Sequence, residues 1–191
     1  MKPESAHNPY LAGKLLVAMP QMDDPRFHKA VIFLCAHDAN GAMGLVINHT
    51  LPGLELSELL AQLHIEGQVH GDDVPVMSGG PVETARGFIL HKGQFRKVDS
   101  LEIKGDIYVT GTVEALKAVA QGQGPEKMLF ILGYSGWTAG QLDAEMKQNS
   151  WLVADADPEV IFSAEPEDRW DRAIKKIGID PNMLSGDTGR A

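Results

Sequence analysis

The stretch that decides the fold is residues 128–152, MLFILGYSGWTAGQLDAEMKQNSWL. Its first five residues form an apolar run, which predicts a buried strand over 128–132. Glycines then interrupt the run, and a helix is predicted to follow, with Thr138 as its N-cap and Gln141 as its third residue, the pattern of a capping box. A joint of this kind presents backbone N–H groups to a ligand, although it also forms wherever a strand simply has to turn into a helix.

Upstream of this joint, residues 30–48 predict an antiparallel β-hairpin. Residues 30–36 (AVIFLCA) are apolar and β-branched, residues 43–48 (MGLVIN) supply the returning strand, and Asn40-Gly41 is a strong hairpin turn between them. Shorter apolar runs predict further strands at 14–19, 74–77, 87–91, 106–110 and 151–154.

Helices are predicted where apolar residues recur every three or four positions. Leu56, Leu59, Leu60 and Leu63 mark one, and an alanine-rich segment at 112–121 marks another, so that residues 106–132 resemble a βαβ unit. Asp157-Pro158-Glu159 is typical of a helix start, and a last helix is expected to bury Trp170, Ala173, Ile174 and Ile177. The chain is therefore expected to be a single α+β domain over 11–191, after a flexible N-terminus at 1–10.

The composition excludes several classes of protein. The chain has 191 residues, 43% hydrophobic and 23% charged, with a net charge of −9, which is ordinary for a globular domain and opposes nucleic-acid binding. Lys92, Arg96, Lys97 and Lys104 are close in sequence, but such a group is usually a solvated face. We expect a cytoplasmic protein, because no signal peptide or membrane span is visible and a single cysteine forms no disulfide framework.

Two side chains in the sequence are candidate nucleophiles. Ser135 lies in GYSGW, but a nucleophile elbow requires G-x-S-x-G, and Trp137 occupies the position of the second glycine. Cys35 and His37 are two apart on a strand and are expected to share a face, which would allow an activated thiolate, although a cysteine in an apolar strand is more often an inert buried residue. The histidines are scattered, so no metal site and no cofactor are expected.

The remaining site hypothesis joins two glycine turns. Ser78-Gly79-Gly80-Pro81 either is a plain turn at a strand end or forms an anion-binding nest, and it is expected to face the 133–141 joint. A small anionic ligand would then lie near the start of the helix. The candidate ligand-binding residues are Ser78, Gly79, Gly80, Ser135, Gly136, Thr138 and Gln141. Gly80→Val is expected to abolish binding without disturbing the fold.

Several separated motifs, in order, resemble the YqgE/AlgH family, which is often labelled as transcriptional regulators. The resemblance covers residues 10–191, and its motifs are PQMDDPRF (20–27), GAMGLVIN (41–48), GGPV (79–82) and GYSGW (133–137), followed by Gln141, Leu142, Glu145, Asn149 and Trp151. It implies a single α+β domain with a coiled, branched mixed β-sheet flanked by helices. It implies no reaction and no catalytic residue.

The function favoured by these observations is a non-enzymatic regulatory or ligand- or protein-binding module. The alternative is a hydrolase- or thiol-type enzyme with its site at the 79–82 and 133–141 turns. Direct DNA binding by a transcriptional regulator is the third reading, and the net charge opposes it.

Overall fold

The computed structural model describes residues 10–68, 73–95 and 100–184. These residues form one α+β domain with ten strands and five α-helices. The strands are Lys14–Ala18 (β1), Val31–Asp38 (β2), Gly41–Val46 (β3), Thr50–Glu55 (β4), Pro75–Ser78 (β5), Val82–Lys92 (β6), Leu101–Lys104 (β7), Ile107–Thr110 (β8), Met128–Thr138 (β9) and Trp151–Asp155 (β10). The helices are Leu56–Gln62 (α1), Val113–Ala120 (α2), Gln141–Lys147 (α3), Arg169–Lys176 (α4) and Pro181–Leu184 (α5).

The strands build one strongly curled sheet in the order β10-β1-β2-β3-β9-β6-β8-β7. Every neighbouring pair along this path is antiparallel. The curl brings the two ends of the sheet together, since a Cβ placed on Gly13, just before β1, would lie 2.6 Å from the Cβ of Lys104 at the end of β7. Because the edge strands β10 and β7 do not pair with each other in the described part of the chain, the sheet is a half-barrel and not a closed barrel.

The sheet branches at β9, which belongs to both halves of the half-barrel. Along one edge, the first half of β9 pairs in parallel with β5, and its second half pairs antiparallel with β3. Strand β4 continues the branch by pairing with β5. On its other edge β9 pairs with β6. The branched, mixed sheet expected from the family resemblance is confirmed.

Three apolar clusters stabilise the sheet. The concave face packs on α4 through Trp170, Ala173 and Ile174. The convex face of one half is covered by α1 and α2, and that of the other half by α3, whose Leu142 packs near Trp137 and Trp151. Helices α1 to α4 thus each bury one apolar side, as the spacing of their apolar residues requires.

The hairpin at 30–48 is confirmed, with Ile32 paired to Val46 and Asp38 paired to Gly41. Its two-residue turn is Ala39-Asn40, one position earlier than predicted, because Gly41 already pairs as the first residue of β3. The helices at 56–62, 113–120 and 169–176 also lie where the apolar periodicity placed them. At the predicted helix start near Asp157 the chain forms a single π-helical turn, Glu159–Ser163, before α4 begins.

Two predictions about the 128–152 stretch are wrong. The strand does not end at its glycines but continues as β9 to Thr138. The N-cap of α3 is Gly140, which makes Gln141 the first helical residue and not the third. One of the two hydrogen bonds of the predicted capping box is present: the Oε1 atom of Gln141 accepts a hydrogen bond from the backbone N–H of Thr138 at 3.0 Å.

The expectation that Cys35 and His37 share a face is also wrong. A β-bulge interrupts the pairing of β2 with β3 between Leu34 and Ala36, so the simple alternation of side chains is shifted by one residue. Cys35 packs on the concave side, whereas His37 faces Asp143 of α3 at 3.7 Å. The two side chains therefore lie on opposite faces of the sheet.

The 106–132 segment is a crossover of the predicted kind, with one difference. Strands β8 and β9 are both antiparallel to β6, so they run parallel to each other with β6 between them. Strands β4 and β7 were not predicted. Of the expected flexible N-terminus, residues 1–9 lie outside the described residues, and Tyr10 packs its ring against His37 with centroids 5.3 Å apart. No helix in the described part of the chain has the length and apolar character that crossing a bilayer requires.

Candidate functional site

The two glycine turns predicted to face each other are in direct contact. The N–H of Gly79 donates to the carbonyl of Leu132 at 2.8 Å, and the hydroxyl of Ser135 donates to the carbonyl of Gly79 at 3.1 Å. A Cβ on Gly80 would lie 2.3 Å from the carbonyl oxygen of Tyr134. The turns leave no room between them for a ligand, and the expectation that Gly80→Val spares the fold is contradicted by this overlap.

The candidate residues divide accordingly. Ser78, Gly79, Gly80 and Ser135 are packed within this contact between β5 and β9. Gly136 and Gln141 instead line an adjacent open cleft, and Thr138 borders it through its hydrogen bond to Gln141. Of the seven candidate residues predicted from the sequence, two, Gly136 and Gln141, line the cleft.

The cleft has a volume of about 440 Å³ and lies between the 21–27 loop, α3 and the end of β9. A volume of this size is typical of small-ligand sites, which span roughly 300–1,000 Å³. Its polar wall includes Gln21, Asp23, Asp24, Arg26, Gln141 and Glu145. Its apolar wall includes the rings of Phe27, Trp137 and Trp151.

The carboxylate of Glu145 accepts three side-chain hydrogen bonds at the wall of the cleft. Its Oε2 atom accepts hydrogen bonds from the indole N–H of Trp137 at 3.0 Å and of Trp151 at 2.8 Å. Its Oε1 atom accepts a third from the side-chain amide of Gln141 at 3.0 Å, and Gln141 is fixed in turn by Thr138. The carboxylate is therefore held in one position by three neutral donors from β9, α3 and β10.

The 21–27 loop is shaped by Asp24. Its carboxylate caps a 3₁₀ turn at Pro25–Phe27 by accepting from the backbone N–H of Arg26 at 3.0 Å, and it also binds the guanidinium of Arg26 through Nε at 3.0 Å and Nη2 at 2.6 Å. The hydrogen bond from Arg26 holds the pKa of Asp24 below its ordinary value. The turn carries Phe27 onto Trp151, with ring centroids 5.8 Å apart in an edge-to-face arrangement.

The charges of the cleft do not favour the anion expected from the sequence. Three carboxylates, Asp23, Asp24 and Glu145, face one guanidinium, that of Arg26. Helix α3 has only seven residues, and the N–H of Thr138 before it is already used by Gln141. A cation or a neutral polar group is a better match to this wall.

Neither nucleophile considered from the sequence is arranged for catalysis. Ser135 is 1% exposed and its hydroxyl is used by Gly79. Burial raises the pKa of the Cys35 thiol to about 12, and His37 lies across the sheet from it. Within the described ranges no three histidine, cysteine, aspartate or glutamate side chains are grouped closely enough to hold a metal ion.

A second concave surface lies on the other half of the molecule. An apolar groove of about 380 Å³ runs between α1 and α2 over the floor of β6 and β9. Leu63 and Val113 at its rim are 51% and 55% exposed, respectively. Of the basic residues noted in the sequence, Lys92 and Lys104 are exposed, and the other two lie outside the described residues.

Sequence reasoning missed the 21–27 loop and the role of Glu145. Asp24-Pro25 is a recognisable start signal for a helical turn, but residues 20–27 contributed to the sequence predictions only as a motif of the family resemblance. Glu145, Trp137 and Trp151 were all noted in the sequence, but no spacing rule indicates that two tryptophans on neighbouring elements share one carboxylate.

The described residues thus form a small α+β protein built on one curled, branched sheet, with a polar cleft beside α3. The chain belongs to the AlgH-like family, whose family model matches residues 15–182. This agrees with the resemblance found in the sequence.

Relatives match over almost the whole chain. A UPF0301 protein of Bradyrhizobium sp. is 47% identical over 195 residues, covering 98% of this chain and 90% of its own. A UPF0301 protein of Paracoccus denitrificans is also 47% identical, covering 95% of this chain and 97% of its own.

Two solved structures have the same fold. The solution structure of the AlgH protein from Pseudomonas aeruginosa is 40% identical, with a TM-score of 0.77 over 98% of this chain and 100% of that chain. The crystal structure of protein DIP2367 from Corynebacterium diphtheriae has a TM-score of 0.67 over 96% of this chain and 92% of its own, and at 19% identity this likeness concerns the fold alone.

Proposed function

We propose that this protein is a non-enzymatic binding module that holds a small polar ligand, or a side chain of a partner protein, in the cleft between the 21–27 loop and α3. The observation that carries the proposal is the fixed carboxylate of Glu145, which two indoles and an amide hold on the cleft wall. Polar groups that are ordered before a ligand arrives lose little entropy when it binds.

The enzymatic alternative has less support. A catalytic serine or cysteine needs an accessible, activated side chain beside a general base. Ser135 is enclosed, and Cys35 is separated from His37 by the sheet. The exposed apolar residues at the rim of the groove between α1 and α2 favour a binding role as well, because such surfaces are common at interaction sites.

A regulatory role, as the family label suggests, would then be exerted through the bound ligand or partner. Direct contact with DNA is disfavoured by the net charge of −9. We propose that the protein acts in the cytoplasm, which is supported by its single cysteine, since one thiol cannot form an internal disulfide.

The three tryptophans make the proposal testable by NMR. The indole N–H groups of Trp137 and Trp151 lie at the cleft, whereas that of Trp170 donates to the carbonyl of Ala18 in the core. The ¹⁵N-labelled protein is titrated with a panel of amino acids, polyamines, sugars, dicarboxylates and nucleotides, after assignment of the three signals by Trp→Phe replacement.

We expect at least one compound class to shift the signals of Trp137 and Trp151 together while that of Trp170 stays fixed. The proposal is overturned if no compound of the panel shifts the indole signals of Trp137 and Trp151. It is also overturned if every compound that shifts these two signals shifts the signal of Trp170 equally, because that indicates a general effect on the fold.

A further inference from the structure

The acidic groups of the cleft lack a positive partner within the described residues. Five ion pairs between Lys or Arg and a carboxylate are formed there, together with a contact of His37 with Asp143, and neither Asp23 nor Glu145 takes part in any of them. Asp23 is exposed, and Glu145 is partly buried with its three neutral donors. A cavity of about 440 Å³ therefore has two uncompensated carboxylates on its wall.

Among the described residues that line the cleft, the one basic side chain, Arg26, is already paired with Asp24. The guanidinium of Arg26 donates three side-chain hydrogen bonds to Asp24, at 3.0, 3.1 and 2.6 Å, and its Cζ atom lies 5.9 Å from the centroid of the Phe27 ring. A paired arginine of this kind contributes little positive field to the rest of the cleft. The charge of Arg26 is therefore already matched by the carboxylate of Asp24.

Resting on the proposed function, we propose that the ligand of this cleft is a cation, a guanidinium or a primary ammonium group. Its N–H groups would bind the carboxylates of Glu145 and Asp23, and its alkyl stem would lie against the ring of Phe27. Charge-assisted hydrogen bonds of this type are stronger than neutral ones, and aromatic faces attract cations further.

The same cationic group occurs in a free metabolite and in an arginine or lysine side chain of a partner protein. Two probes separate these sources: agmatine, a free guanidinium cation, and the capped tripeptide Gly-Arg-Gly. The matched control is the capped tripeptide with citrulline in place of arginine, which keeps the shape and removes the charge. The readout is again the pair of indole signals, with Trp170 as the internal reference.

Three variants test the residues. Glu145→Gln keeps the shape of the side chain and an oxygen for the indoles, and we expect it to weaken binding of the cationic probe by about tenfold, as loss of one charged partner does. Asp23→Asn removes the second charge from an exposed residue that makes no ion pair, so it should fold normally and weaken binding by roughly threefold to tenfold. Glu58→Gln on the exposed face of α1, away from the cleft, should change nothing.

The outcomes separate this inference from the proposed function. Shifts with agmatine or the arginine peptide and none with the citrulline peptide support the inference, and the probe that binds more tightly identifies the source. Shifts with neutral or anionic compounds alone overturn the inference and leave the proposed function standing. Absence of any shift at the two indoles overturns both. Cation binding that is unchanged in Glu145→Gln and in Asp23→Asn also refutes the inference.

Discussion

Replacing Gly80 by alanine should destabilise the fold severely. The φ angle of Gly80 is +148°, in a region that only glycine adopts readily, so a side chain there costs about 1–3 kcal/mol in backbone strain. The new Cβ would also lie 2.3 Å from the carbonyl oxygen of Tyr134 and 2.4 Å from the Oγ atom of Ser135, and overlap of this kind costs about 1–3 kcal/mol more. The sum, about 2–6 kcal/mol, is a large part of the roughly 5–15 kcal/mol that stabilises a domain.

The assay is urea denaturation of Gly80→Ala beside a matched control, Gly53→Ala. Gly53 has a φ of +72° with no atom within 4 Å of a built Cβ, so its replacement introduces strain without overlap, worth about 1–2 kcal/mol. The reasoning fails if the two variants lose the same free energy of unfolding to within about 0.5 kcal/mol, which is the usual scatter between independent sites.

Four further predictions concern the site and the titratable groups. Glu145→Ala should lower the free energy of unfolding by about 2–4 kcal/mol, because it removes the acceptor of two nearly buried indoles, and an unchanged denaturation midpoint would contradict this. Because the thiol of Cys35 has a pKa of about 12, it is neutral at pH 7 and should react with a disulfide reagent only as fast as the protein unfolds; immediate labelling of the native protein would disprove it. Burial lowers the pKa of His91 below 6.5, so the unfolded chain takes up a proton at a higher pH than the folded chain does. The free energy of unfolding should therefore fall as the pH drops below about 6.5, less steeply in His91→Gln; equal slopes would count against His91 as the cause. Finally, because the net charge is −9, the protein should not retard duplex DNA in a gel mobility assay at physiological salt. A sequence-specific mobility shift would contradict this and would show that the protein binds DNA directly.

The features that the sequence predicted depend on local patterns. The hairpin at 30–48 combines apolar strands with a two-residue turn, and α1, α2 and α4 have clear apolar faces, so each is specified by residues close together in the chain. The branched sheet itself was anticipated from the family resemblance, since no local pattern shows that β9 is shared between two sets of strands.

The errors arose where distant contacts override local preference. Glycines inside β9 were taken as strand ends, but the strand continues because β3 pairs with its second half. The bulge after Leu34 turns Cys35 and His37 to opposite faces, and such an irregularity depends on the neighbouring strand. The cleft escaped prediction for the same reason, because it joins a loop at 21–27 to a helix more than a hundred residues later.

The position of β1 has a consequence for how the protein is made. This strand lies between β2, which follows it closely in sequence, and β10, which pairs Lys14 with Asp155 and Ala18 with Trp151. On the ribosome, one side of β1 can pair early, whereas its other side must wait until residue 155 has been synthesised and has left the exit tunnel. For most of translation the nascent chain therefore presents an unsatisfied strand edge of apolar residues, the kind of surface that trigger-factor-like chaperones protect from association with other chains.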